Sequence, residues 1–184
     1  MRKGALMQRN TTRLASFVVV AALSGALGCS STSGPATTGP VSFKTDVMPI
    51  LQSGCTLSAV CHGQMGNAGE EDLFLGVHQT SLDGTPVDPA TAMMVYTGLV
   101  GVKSLEDPKM NLVTVMDSKD SYLIHKLNGD QDSLEADCAM GMCNASTCAA
   151  PTTCGIQMPM SGSALDPSVI AKIASWIDQG APNN

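Results

Sequence analysis

The stretch Phe43-Lys44-Thr45-Asp46-Val47-Met48-Pro49-Ile50-Leu51-Gln52-Ser53-Gly54-Cys55, followed shortly by Cys61-His62, joins a patterned helix to two cysteines and a histidine. Phe43, Val47, Ile50 and Leu51 stand at i, i+4, i+7 and i+8, one apolar face of a helix that stops near Gly54. Pro49 is awkward inside such a helix unless it falls near a first turn or bends the axis. From Cys55 to Gly69 the chain reads as loop, with Gly63, Gly66 and Gly69. The helix therefore delivers a Cys-x5-Cys-His pattern into a loop.

Upstream, Arg2, Lys3, Arg9 and Arg13 lead into the apolar run from Leu14 to Leu27, which meets Gly28-Cys29. A basic region followed by a 14-residue apolar one is a secretory signal, too short and wrongly flanked for a membrane span. Ala26-Leu27-Gly28-Cys29 resembles a bacterial lipobox, whose cysteine is lipidated and becomes the first residue of the mature chain. Ala26 departs from that pattern, where Leu is usual; ordinary cleavage nearby and a signal anchor are the alternatives. Ser30 to Pro40 reads as a flexible tether. The expected organisation is a signal peptide over 1–28, a tether over 29–40 and one domain over 41–184.

That division changes two counts. The signal carries four of the ten basic residues and no acidic one, so the mature chain holds six against sixteen, formally −10. Such acidity argues against nucleic acid, which needs a basic footprint. Seven cysteines are too many for a reducing cytosol unless they bind something. With Cys29 set aside, six remain for an oxidising compartment: Cys55, Cys61, Cys138, Cys143, Cys148 and Cys154. The six aromatic residues (Phe17, Phe43, Phe74, Tyr96, Tyr122 and Trp176) are few, although large rings normally carry much of a core's buried area.

Downstream, Pro89 to Leu99 predicts a short helix begun by Asp88 or Pro89. Asn111 to Met116 is a β-prone run or extended loop. Asp120 to Leu127 predicts a helix pinned by Tyr122, Leu123 and Leu127 and closed by Asn128-Gly129. The best-defined element is last. Asp166 as N-cap and Pro167 at the first position open a helix with Ile170, Ile173 and Ile177 on one stripe, beside Val169 and Trp176, stopped by Gly180. The expected fold class is all-α: a small domain of short helices and long loops, which need something rigid to pack against.

Cys61-His62 is the informative dipeptide. A covalent c-type haem needs a cysteine joined to a vinyl group, followed at once by the histidine that ligates iron, with a second cysteine upstream for the other vinyl. Cys55 is available, at a wider spacing than the usual Cys-x2-Cys-His; the extra residues can bulge between two anchors. Two cysteines and a histidine within eight residues also suit a disulfide and a surface histidine.

At this point the chain resembles the c-type cytochrome domains of exported, often lipid-anchored bacterial proteins. The likeness lies in Phe43 to Leu51 before the cysteines, in Ser121-Tyr122-Leu123-Ile124-His125-Lys126-Leu127, and in Met158-Pro159 with Trp176-Ile177-Asp178-Gln179-Gly180-Ala181 at the close. It covers residues 41–184 in patches. The resemblance implies a cytochrome c-like fold and heme c, with Cys55 and Cys61 as thioether anchors, His62 as proximal ligand, Met158 as distal ligand, and Pro159 fixing the loop that presents the sulfur. A neutral thioether opposite imidazole raises the potential, and a six-coordinate iron leaves no open position, so electron transfer rather than catalysis is expected. Partners would be redox proteins with basic docking surfaces, met at a membrane through the lipid anchor, in the periplasm or at the outer membrane.

The competing residues are Met160 and Met65 as thioethers and His125 and His78 as imidazoles, with His125 expected to project away from the face of Leu123 and Leu127. Cys138, Cys143, Cys148 and Cys154 form an insert over 138–154 with no following histidine, so no second haem is expected. Two disulfides suit the compartment; zinc would want paired knuckles that are missing, and the pairing stays open. These bridges would stiffen the approach to Met158. Asn128-Gly129-Asp130-Gln131-Asp132 opens like a calcium loop, but Ser133 and Ala139 break the pattern. No triad, phosphate-loop or zinc-protease signature is present. Two other functions stay open: a haem-free lipoprotein module with three disulfides, and a catalytic haem if Met158 does not ligate.

Overall fold

A computed structural model describes residues 39–57, 61–65, 73–79, 86–134, 154–160 and 163–184, all within one compact unit, Ser33–Asn184. The expected signal peptide, Cys29, most of the tether, and Cys138, Cys143 and Cys148 lie outside the described residues. Among the described residues no helix is long and apolar enough to cross a membrane.

The described part is helical. A π-helical turn, Phe43–Val47, runs into α1, Met48–Gly54. It is followed by α2 (Pro89–Leu99), α3 (Tyr122–Asn128), a 3-10 turn (Gln131–Leu134) and α4 (Pro167–Asp178). Strands are absent among the described residues; isolated bridges such as Val100 to Val113 and Asn111 to Ser121 tie the α2–α3 connection together. The expected β-prone run is thus extended loop.

Local chemistry explains the helix ends. The Met48 amide bonds to the Phe43 carbonyl, five residues back, so the first turn is wide and Pro49 falls in the first turn of α1. In an unbroken α-helix the proline ring would strike the carbonyl four residues before it. Ser42 Oγ accepts from the Thr45 amide at 3.3 Å, while Asp46 Oδ2 accepts from the Ser42 amide at 2.8 Å. Asp88 Oδ2 accepts from the Thr91 amide and Asp166 Oδ1 from the Ser168 amide, each at 2.8 Å, capping α2 and α4 at the expected residues. Helix α3 starts at Tyr122 rather than Asp120. Ser121 is held extended by its bridge to Asn111, and its hydroxyl donates to the Asp117 carbonyl at 2.7 Å.

The core is densest where α4 meets the opening turn. Phe43 stacks on Trp176 with centroids 5.1 Å apart and meets Tyr96 edge-on at 5.4 Å. The polar ends of these rings are satisfied: Trp176 Nε1 donates to the Pro182 carbonyl and Tyr96 Oη to the Ala181 carbonyl, both at 3.0 Å. The C-terminus closes the seam, because the Asn184 carbonyl accepts from the Lys44 amide at 3.0 Å. Each buried ring removes roughly 150–250 Å² from water, a gross gain of about 4–6 kcal/mol. This seam fixes the base from which α1 carries Cys55 forward.

Candidate functional site

Helix α1 ends on Cys55, whose amide donates to the Leu51 carbonyl at 2.8 Å. The chain then returns on itself: the His62 amide donates to the Cys55 carbonyl at 3.1 Å, and the Leu75 amide to the His62 carbonyl at 2.9 Å. The wide spacing is thereby held at both ends. Met158 comes from the far end of the domain, its amide donating to the Lys126 carbonyl on α3 at 2.8 Å.

These four residues line one pocket of about 870 Å³, counting its open mouth. Its walls include Leu73, Leu75, Leu99, Leu112, Leu123 and Leu127. The lining is mainly apolar, and the enclosed part of the pocket holds about 90 Å³. Pro159 and Met160 are on the same wall.

The electrostatics suit neutral ligands. Cys55 is buried and carries a thiol, and burial, assisted by the nearby Cys61 sulfur, pushes its pKa up to about 12. It stays protonated at neutral pH. Burial also lowers the His62 pKa; the Leu73 hydrogen bond and Glu106 work against that, and the Lys126 charge adds to it. His62 Nδ1 lies 2.9 Å from the Leu73 carbonyl, which can only accept, so Nδ1 carries the hydrogen and Nε2 the lone pair. Fixing one ring nitrogen in this way is how proteins orient a histidine for metal at the other.

The competing residues separate cleanly. Met65 is 60% exposed and off the pocket; Met160 touches it but is half exposed, whereas Met158 packs against the core cluster. His125 turns away as expected, with Nδ1 2.9 Å from Asp130 Oδ1 and Nε2 3.0 Å from the Lys119 carbonyl. His78 is exposed, its Nδ1 3.3 Å from the Gln52 carbonyl. The calcium-like run ends α3 and enters the 3-10 turn. Among the described residues no three His, Cys, Asp or Glu side chains converge as a metal cage. Cys154 is buried and disulfide-bonded; the other cysteines of its cluster lie outside the described residues.

Sequence reasoning missed a polar corner of the pocket. Lys126 is 7% exposed and its Nζ donates to Glu106 Oε2 at 2.8 Å; Tyr122 Oη bonds the same carboxylate. Tyr122 and Lys126, four apart on α3, share a face that the sequence does disclose. Glu106 sits in aperiodic loop and reaches them only through space. Compared with protein-family models, curated proteins and solved structures, the chain matches none. Fold and site together define an all-α domain built around a pocket of two thiols, one imidazole and one thioether.

Proposed function

We propose that the pocket holds a covalent c-type haem and that the protein carries single electrons in the cell envelope, tethered to a membrane through Cys29. One observation carries this reading: Cys55, Cys61, His62 and Met158, from both ends of the domain, line a single apolar pocket. A bare ion would want more donors than one imidazole and one soft thioether; a porphyrin brings four nitrogens of its own. Cys55 and Cys61 would form the thioether bonds, and His62 Nε2 and Met158 Sδ would be the axial ligands. When bound, the group supplies a one-electron couple whose potential the thioether raises.

The chain's own residues do the rest. Leu73 orients His62 through its carbonyl, and the leucine walls exclude water from the site. With His62 and Met158 both ligating, the iron would have no position left for substrate, which favours a carrier over an enzyme. The formal mature charge of −10 favours partners with basic docking surfaces and weak, salt-sensitive encounters.

The test is expression with cytochrome maturation machinery, then a denaturing gel stained for haem. A stained band at the chain's mass is expected, lost in Cys61→Ser combined with Cys55→Ser. A colourless wild-type band would remove the proposal. In Met158→Ala the stain should persist while the Met-to-iron charge-transfer band disappears and the potential falls.

A further inference from the structure

We infer that Tyr122 and Glu106 are positioning residues: they latch residues 154–158 onto α3 and so set where the Met158 sulfur sits. The role in ligation rests on the haem reading above; the latch itself does not.

Residues 154–158 have no helix or strand of their own. Hydrogen bonds to α3 and the turn after it hold them along their length. Tyr122 Oη lies 2.6 Å from the Cys154 carbonyl oxygen, Gln157 Nε2 donates to the Leu127 carbonyl at 3.2 Å, and the Met158 amide donates to the Lys126 carbonyl at 2.8 Å. The Tyr122 hydroxyl is the buried member of this set and lies 2.5 Å from Glu106 Oε2, which also takes Lys126 Nζ, so its one hydrogen is shared between the carboxylate and the Cys154 carbonyl. Glu106 is in turn fixed through its backbone, its amide donating to Ser104 Oγ at 3.1 Å.

The contact is close enough to demand glycine. Gly155 has φ +71°, and a Cβ there would collide with Glu106 Oε1 and Lys126 Nζ. A side chain at 155 would strain this left-handed backbone and displace those two side-chain ends. On the other side, Gly129 at φ +76° would set a Cβ 2.5 Å from Gln157 Cδ. Two glycines and one hydroxyl thus let an irregular segment lie flush on a seven-residue helix. A thioether is a weak ligand, so its occupancy depends on how firmly the backbone presents it.

The discriminating pair is Tyr122→Phe against Tyr96→Phe in the full chain. Each removes one hydroxyl that donates to a backbone carbonyl, but Tyr96 bonds Ala181, in the aromatic seam. In haem-loaded protein Tyr122→Phe should keep the covalent stain, weaken the Met-to-iron band and raise the affinity for added imidazole by roughly 5- to 150-fold. Tyr96→Phe should change neither. In chain made without haem, the Met158 amide should exchange hydrogen faster in Tyr122→Phe than in Tyr96→Phe. Glu106→Gln supplies the same readouts should the phenylalanine variant fail to fold. Identical exchange and identical bands in the two tyrosine variants would overturn the latch. A colourless wild type with faster exchange in Tyr122→Phe would instead remove the haem reading and leave the latch standing.

Discussion

The seam between α4 and the Phe43–Val47 turn, and the pocket in front of α1, are both apolar but are filled by different means. At the seam Phe43 contacts both Tyr96 and Trp176, whose polar ends donate to backbone carbonyls. Around Cys55, Cys61, His62 and Met158 the wall carries six leucines, with Tyr122 committed by its hydroxyl to the latch, and about 90 Å³ is enclosed behind an open mouth. The aromatic shortage is therefore uneven. Rings are concentrated where two helical segments must close on each other, and aliphatic side chains line the side that leaves room.

Truncation should expose that difference most strongly. In chain made without haem, Trp176→Ala should cost about 3–5 kcal/mol, a large share of a small domain's stability. Leu73→Ala, at a partly buried position on the pocket wall, should cost less than about 2 kcal/mol. Urea melts measure both, and equal losses would mean the pocket is a packed core after all.

A smaller effect should appear with acid. The folded chain holds the His62 pKa below its ordinary value of about 6.5, chiefly by burial. Below that pH the unfolded chain binds a proton that the folded chain refuses, so this part of the stability is present above about 6.5 and is lost as pH falls toward the depressed folded value. In haem-free protein His62→Gln should flatten that section of the stability profile. A profile unchanged by the substitution would place His62 in an open, water-filled position.

The mildest test leaves stability alone. In native haem-free protein a maleimide should label Cys61, which is partly exposed, well before Cys55, which is buried with its pKa pushed up to about 12. Equal rates would show that the pocket opens freely at the end of α1.

Much of the fold was legible because its signals are local. Asp88 and Asp166 cap where their side chains reach an amide two or three residues on, and Pro89 and Pro167 follow them. The stripe of Ile170, Ile173 and Ile177 is buried as its spacing requires. Pro49 announced a conflict, and the wide turn that resolves it is a backbone answer that periodicity does not encode. Helix α3 begins at Tyr122 instead of Asp120 because the bridge from Asn111 holds Ser121 extended, a pairing across the loop.

The candidate site divides along the same line. Cys55, Cys61 and His62 are neighbours in sequence, and Met158 was marked by its proline and the helix after it. That Met158 rather than Met65 reaches the pocket, and that His125 turns from it toward Asp130, follows from how α3 seats residues 154–158. Glu106 had no signal at all. The sequence alone determined the helices and their caps, because those bonds close within a few residues at small entropic cost. Only the tertiary structure decided the pocket, the choice of methionine and the Glu106–Lys126–Tyr122 corner, because such contacts close long loops and repay that cost only when the whole core forms.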